Sequence, residues 1–317
     1  MDGNISDICI IGAGMAGLAC ATELKEAGHS VCLIDKGRGP GGRMASRRAD
    51  VAGQVVSFDH GAQYFTARDE GFRKQVDSWN ALGVVAPWPE AGEDAWVGTP
   101  GMNGPIRAMA QHLPVEWSRR AETVTRNAAG WQIDSESGTI RAATLLLAIP
   151  AEQAADLLQG AAPRLAATAG GVTSEPCWTA MAAFAKPLDL PDSIRSNDGP
   201  IAWAARNSAK PGRTGTECWV IHASPAHSRE IIDRPKHEVA SLLVDDFFEQ
   251  TGAKPAAPVH LAAHRWLYAM PQTVEGEAAR FDAEARIGLA GDYLHSPRVE
   301  GAWLSGKALA HKMLGAV

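Results

Sequence analysis

Asp7-Ile8-Cys9-Ile10-Ile11-Gly12-Ala13-Gly14-Met15-Ala16-Gly17 carries four consecutive apolar residues straight into Gly-Ala-Gly-Met-Ala-Gly. An apolar run without alternation reads as a buried parallel strand. Leu18 to Ala27 has helical composition and stops at Gly28, a residue suited to the position after a helix. Val31-Cys32-Leu33-Ile34 is a second apolar strand, and it closes on Asp35. Strand, glycine turn, helix, strand and acid form the context in which this fingerprint binds a dinucleotide. Gly12 permits the tight turn, Gly14 lets the backbone approach a pyrophosphate, and Gly17 lets helix and strand pack closely. The helix N-terminus, with Ala13, Met15 and Ala16 around it, offers the phosphates free N–H groups and a partial positive charge. Asp35 lies 21 residues after Gly14, placed to accept hydrogen bonds from a ribose diol.

Directly behind it, Lys36-Gly37-Arg38-Gly39-Pro40-Gly41-Gly42-Arg43-Met44 is an irregular loop that bares backbone N–H groups. Lys36, Arg38 and Arg43 add local positive charge, as a phosphate cradle requires.

The 317 residues suit two domains with ample core. The formal charge of −6 gives no general attraction to nucleic acid or anionic lipid, so any anion binding has to be local. No apolar run reaches the ~20 residues of a membrane span, and no cationic stretch precedes the first one, so the cytoplasm is the expected location. Cys9, Cys20, Cys32, Cys177 and Cys218 have neither C-x-x-C nor metal-ligand spacing. They are expected to be buried small hydrophobes, with no metal site and no redox-active dithiol.

Further along, Asp69 to Trp79 reads as a short helix, and Pro105 fits the first turn of another over Ile106 to His112. Ala121 to Ile133 reads as a hairpin whose Val124 is a candidate cofactor contact, and Ile140 to Ile149 as a buried strand stopped by Pro150. Strands over Thr179 to Ala185 and Cys218 to Ala223 and a helix over Lys236 to Gln250 follow. Arg286 to Ala290 is a last strand before Gly291-Asp292, and Val299-Glu300-Gly301-Ala302-Trp303 opens a final helix to Leu314. Nucleotide-domain character at both ends and in the middle predicts one domain over 1–57, 101–165 and 285–317. A substrate domain is expected over 58–100 and 166–284.

The N-terminal fingerprint, the Gly-Gly-Arg loop and the late Gly-Asp resemble the flavoprotein amine oxidases and their relatives. Asp59-His60-Gly61-Ala62-Gln63-Tyr64-Phe65-Thr66-Ala67-Arg68-Asp69 is similar to bacterial renalases. So are Trp96 to Met102, Ala263-His264-Arg265-Trp266-Leu267-Tyr268-Ala269 and Arg298 to Gly306. The resemblance implies a Rossmann-like α/β domain holding noncovalent FAD, with an inserted mixed α+β substrate domain of the p-hydroxybenzoate hydroxylase or amine oxidase kind. It implies flavin contacts at Gly61, Ala62 and Gln63, with Gln63 rather than His60 facing the isoalloxazine. Asp292 is expected to take a ribityl hydroxyl or a phosphate-linked water, or to act as a turn residue. The final helix, from Val299, Glu300, Gly301 and Ala302, would point its N-terminus at the flavin.

The family's substrates are 2- and 6-dihydro isomers of NAD(P), oxidised to NAD(P)⁺ with dioxygen as electron acceptor and hydrogen peroxide as product. Hydride transfer from a dihydropyridine needs positioning and stacking rather than a strong base. The sequence shows no Ser/His/Asp set, no H-E-x-x-H and no obvious carboxylate pair. Tyr64, Trp203, His264, Arg265 and Tyr268, with Gln63, are the candidate substrate cage, whereas Trp178 and Trp219 are expected to be core. Leu294-His295-Ser296-Pro297 departs from the family pattern beside the flavin edge and puts substrate preference in question. The alternatives are a small-amine oxidase and a non-catalytic flavin-binding redox protein. An amine oxidase wants a lysine near the flavin, and neither Lys186 nor Lys210 lies in a motif tied to it.

Overall fold

A computed structural model describes residues 6–213 and 215–316. β1 (Ser6–Ile11) enters α1 (Met15–Glu26) through the glycine turn, and β2 (Val31–Ile34) returns parallel to β1. Gly12 has φ +105°, and a Cβ there would lie 2.4 Å from the Ala148 carbonyl oxygen. A Cβ on Gly17 would lie 1.9 Å from the carbonyl oxygen of Gly12. Both glycines are therefore fixed by packing, one of them also by backbone conformation.

β3 (Ser46–Val51) and β4 (Gln54–Asp59) make a hairpin, which the sequence reading did not anticipate. Its turn places Ala52 at φ +52° and Gly53 at φ +82°, and its first strand is too charged to show an apolar face. β5 (Phe65–Thr66), α2 (Glu70–Ala81), β6 (Val85–Pro87) and β7 (Ala95–Gly98) follow, with Asp69 capping α2 by accepting from the Phe72 amide at 3.0 Å. α3 (Gly104–Ala110) carries Pro105 in its first turn and leads to β8 (Val115–Glu116), which joins β2. The expected hairpin is β9 (Thr123–Asn127) and β10 (Gly130–Ser135). β11 (Gly138–Leu147) then runs parallel to β1, and Pro150 starts α4 (Ala151–Leu158), packed on α5 (Pro163–Gly170).

β12 (Ser174–Phe184), β13 (Ser193–Arg195), β14 (Ile201–Arg206) and β15 (Glu217–Ala223) precede α6 (Pro225–Glu230), α7 (Lys236–Thr251) and β16 (Pro258–Pro271). The chain closes on β17 (Arg280–Asp282), β18 (Ile287–Leu289) and α8 (Val299–Leu314). Strand order in the first sheet is β17-β18-β11-β1-β2-β8, with β10 paired to β11 and β9 to β10. The second sheet is antiparallel in the order β13-β14-β15-β12-β16. No helix among the described residues is long and apolar enough to cross a membrane.

Burial follows alternation. Ile8 and Ile10 of β1 face a core with Leu18, Leu33 and Leu309, whereas Cys9 and Ile11 face another with Leu145, Leu147 and Leu158. Both faces of the parallel sheet are covered, which explains its continuous apolar strands. On the second sheet Trp178, Ala180, Trp219 and Ile221 pack with α7 residues Leu243 and Phe247, as expected of the two tryptophans. Met181, Cys218 and Val220 point the other way, toward Val51, Val56 and Phe58 of the β3–β4 hairpin.

Cys9 lies opposite Cys32 in the β1–β2 register, a proximity the spacing in sequence does not show. A hydrogen bond with Cys32 and burial raise the Cys9 thiol well above its ordinary pKa, so it stays protonated.

Candidate active site

The N-terminus of α1 is uncapped by any side chain, and its N-cap is Gly14. A Cβ on Gly14 would meet nothing within 4 Å, in contrast to Gly12 and Gly17, and a Cβ on Gly42 would lie 3.9 Å from the Gly14 Cα. The glycine turn and the Gly41-Gly42-Arg43 turn thus converge on open space at a helix N-terminus, a shape and polarity that fit a pyrophosphate. Ala13, Met15, Ala16 and Met44 are buried behind it. Asp35 Oδ2 accepts from the Ala13 amide at 2.8 Å and Oδ1 from the Gly37 amide at 2.6 Å, which fixes the carboxylate at the end of β2. Arg38 is exposed, and Lys36 Nζ reaches Gln153 Oε1 at 2.8 Å. Val124 is buried on β9, its side chain in the core rather than in the cradle.

Arg43 and Asp292 engage each other, which amends the expectation that the first serves phosphates and the second a ribityl hydroxyl or turn. The guanidinium spans both carboxylate oxygens, at 2.8 Å and 2.6 Å. Gly61 needs its missing side chain, because a Cβ would lie 2.0 Å from the Arg43 carbonyl, which accepts from the Ala62 amide at 2.8 Å. α8 also starts without a side-chain cap, at Val299, leaving its N-terminal donors free. Oε1 of Glu300 accepts from the Arg68 and Asp69 amides at 2.6 and 2.7 Å, which ties the start of α8 to the start of α2. Gly301 backs onto the Ser296 carbonyl, where a Cβ would lie 2.2 Å away. In the Leu294–Pro297 departure, Leu294 is buried and His295 exposed.

The second sheet supplies the other wall. Arg195 pairs with Trp203, Trp203 with His222, His222 with Thr179, and Thr179 with His264, one residue from each of the five strands. Directly paired residues of antiparallel strands share a face, so these side chains form one transverse row. Residues 60–64 cross that row. The His60 ring is 5.0 Å from that of His264, Gln63 Nε2 is 3.3 Å from His222 Nε2, and the Tyr64 ring is 5.4 Å from that of Trp203. Trp266, two residues on from His264, stacks on His60 at 5.2 Å and donates from Nε1 to its carbonyl at 2.7 Å.

Strand alternation corrects the cage. Arg265 lies between His264 and Trp266 and points to the other face, where it donates to the Ile232 carbonyl at 2.6 Å and sits 5.8 Å from the Trp178 ring. Tyr268 shares the parity of His264 and Trp266 on β16. Gln63 is buried, with Nε2 donating to the Asp59 and Gly61 carbonyls, so its amide is held by the protein rather than aimed freely at a flavin.

The residue missed most plainly is Lys210. It is 1% exposed, and Nζ lies 3.1 Å from Gln63 Oε1, 3.5 Å from Asp59 Oδ2 and 5.1 Å from the Trp88 ring centroid. Far from being unconnected to the flavin motif, it holds that motif's glutamine. Asp59, fully buried, also accepts from Arg213, from Ser46 Oγ at 2.6 Å and from the Met102 amide at 2.8 Å. Burial pushes its carboxyl up, but Lys210 and Arg213 hold it below the usual range. Burial likewise lowers Lys210 to about 8 against the pull of Asp59. His222 was also missed. Burial first, then Lys210, lowers it to about 3, and burial lowers His60 and His264 to about 4. All three imidazoles are neutral near pH 7. Among the described residues no cluster of metal-ligating side chains occurs.

Comparison with known proteins agrees with this geometry. A model of the NAD(P)-binding Rossmann-like domain matches residues 10–77, and one of flavin containing amine oxidoreductases matches residues 89–314. A KsdD-like steroid dehydrogenase of Mycolicibacterium smegmatis is 32% identical over 113 residues, covering 36% of this chain and 16% of that protein. A coproporphyrinogen III oxidase of Mycobacterium leprae is 29% identical over 174 residues, 52% of this chain and 38% of that one. The chain matches well under half the length of either relative. The crystal structure of a fatty acid isomerase from P. acnes superposes with a TM-score of 0.72 at 14% identity, covering 97% of this chain and 98% of that one, which shows the fold. With an open glycine cradle, two uncapped helix N-termini and a family match across most of its length, the chain is a member of the flavin-containing amine oxidoreductases, and FAD is its cofactor.

Proposed function

We infer that the chain is a renalase-like oxidase that converts 2- and 6-dihydro isomers of NAD(P) to NAD(P)⁺. Each turnover consumes one dihydro isomer, one proton and one dioxygen, and yields one NAD(P)⁺ and one hydrogen peroxide. Bound FAD supplies a two-electron acceptor that dioxygen can reoxidise. In this reading Gly12 to Gly17, Asp35, the Gly42-Arg43 turn, Asp292 and the start of α8 hold the cofactor, and the row on the second sheet meets the substrate. The division into a cofactor unit and a substrate unit, and a cytoplasmic location, belong to the same proposal.

The observation that carries it is the composition of the row. A dihydropyridine gives up hydride without losing a proton from a heteroatom, so the site needs flat surfaces beside the ring and no strong base. His60, His222 and His264 are held neutral, Trp266 stacks beside them, and no unpaired carboxylate stands in the row as a base. Where an amine oxidase would grip an ammonium between two aromatic rings, Tyr64 and Trp203 already carry a guanidinium, Arg195, at 5.8 and 5.1 Å. A cationic amine would be repelled there. Fold similarity does not choose the substrate, since one fold hosts many chemistries.

The test is anaerobic mixing of the yellow protein with 2-dihydro- and 6-dihydro-NAD. Rapid bleaching, and one peroxide per isomer on readmitting air, are expected. No bleaching by either isomer, with rapid bleaching by a primary amine, overturns the proposal.

One observation favours the second reading, oxidation of a small amine. Lys210 is a buried lysine beside the flavin motif, 3.1 Å from Gln63 Oε1, as that chemistry wants. It is engaged with Asp59 and Gln63 rather than free, which supports the first reading over it.

A further inference from the structure

The geometry points to Arg195 as the residue that selects phosphorylated substrates, by binding the 5′-phosphoryl group attached to the dihydronicotinamide riboside. This rests on the dihydronicotinamide function inferred above and names the part of the substrate that the site reads.

Arg195 ends the transverse row on the edge strand β13 and is exposed, whereas Thr179, fourth in the row, is fully buried. The row is therefore most open at its Arg195 end. The guanidinium is held in place: it donates to Tyr64 Oη and lies over both the Trp203 and Tyr64 rings, at 5.1 and 5.8 Å. Among the described residues it has no carboxylate within ion-pair distance. Asp192, three residues before it, is taken by Arg206 at 2.6 Å. A surface arginine without a carboxylate, immobilised on two rings, keeps most of its five N–H donors for a visiting anion. Nε1 of Trp203, the ring on which the guanidinium lies, is buried and has no hydrogen-bond partner.

Spacing sets which anion. His222 lies two strands in from Arg195, about 10 Å at ~4.8 Å per strand. A ring placed beside His222 thus has its 5′-phosphate within reach of the guanidinium. The adenosine half of a dinucleotide lies beyond the rim, so the mononucleotide already carries the group that is read.

The experiment uses the FAD-loaded protein with the 2- and 6-dihydro isomers of nicotinamide mononucleotide and of nicotinamide riboside, which share the reacting ring. For the wild type, kcat/KM is expected to favour the mononucleotide by about 10–100-fold, the worth of a charge-assisted contact, and the preference should shrink as salt is added. Arg195→Gln should collapse that ratio by lowering the mononucleotide value, through KM, with Arg195→Lys recovering part of it. A structural role would lower both substrates alike and leave the ratio in place. Equal rates for the two substrates in the wild type, or an unchanged ratio in Arg195→Gln, overturns the assignment of Arg195 alone. Failure of every isomer to reduce the wild-type flavin removes the underlying function, and the assignment with it.

Discussion

Arg43 and Asp292 stand as a two-pronged ion pair, Nη1 to Oδ2 at 2.8 Å and Nη2 to Oδ1 at 2.6 Å, between loops 249 residues apart in the chain. The Asp292 carboxylate is nearly fully buried and the Arg43 side chain is about a third exposed. Removing one partner leaves the other charge without compensation. Asp292→Ala and Arg43→Ala should each cost about 1–3 kcal/mol of stability. The double variant should cost less than their sum, because the second substitution removes a charge already stranded. Denaturant unfolding of the four proteins measures the coupling, and strict additivity would show that the pair does not act as one unit.

Gly12, Gly14 and Gly17 make opposite demands. Gly14→Ala meets no atom, and its φ of −83° suits alanine, so the protein should fold and even gain up to ~1 kcal/mol. The methyl group would occupy the cradle, and purified protein should lose most of its bound flavin. Gly12→Ala and Gly17→Ala clash with backbone at 2.4 and 1.9 Å and should lower soluble yield. Flavin content from the absorbance ratio, with melting temperature, separates the two classes. Full flavin retention in folded Gly14→Ala would contradict the cradle.

Lys210→Met separates the two chemistries. If the substrate is a dihydronicotinamide isomer, the variant loses a contact to Gln63 and should reduce the rate of flavin bleaching by less than ~10-fold, a loss on the scale of one neutral hydrogen bond. Complete loss of anaerobic reduction, with the fold intact by circular dichroism, would favour the lysine-dependent amine chemistry instead.

Acid should weaken the protein through its histidines. The folded values, about 4 for His60 and His264 and about 3 for His222, lie below the ordinary 6.5 because burial disfavours the charged ring. The unfolded chain therefore binds protons that the folded chain does not, and the neutral rings contribute fully only above pH 6.5. Stability should fall between pH 6.5 and 4 by at most ~1.4 kcal/mol per pH unit for each ring, less for partly exposed ones. Melting temperature against pH checks this, and His222→Gln should flatten the slope. A flat profile from pH 7 to 4.5 would exclude it.

The first strand, its turn and Asp35 were legible because their chemistry is local: consecutive apolar residues and glycines at fixed offsets decide them. α8 and β11 were legible for the same reason. The site was not. Its row takes one residue from each of five strands, so no spacing in sequence records it, and His222 looks like any other histidine. β16 was missed because Pro258 to Pro271 mixes His, Arg, Trp and Tyr on both faces and shows no apolar alternation. Reading its strand period would have separated His264 and Trp266 from Arg265. Lys210 sits in a Ser-, Pro- and Gly-bearing connection that looks solvated, and its partners lie at Asp59 and Gln63. The Ala52-Gly53 turn was the available signal for the β3–β4 hairpin.

α8 lies against α1 so closely that a Cβ on Gly306 would sit 2.1 Å from the Ala16 carbonyl. The first helix of the cofactor fingerprint is thus completed by the last helix of the chain, and β1 also waits for β11 and β18 before its sheet is whole. During synthesis the fingerprint helix remains without this packing partner until α8 has been made. Long-range closure of this kind slows folding, and a cradle that needs both helices is complete only once α8 has docked on α1.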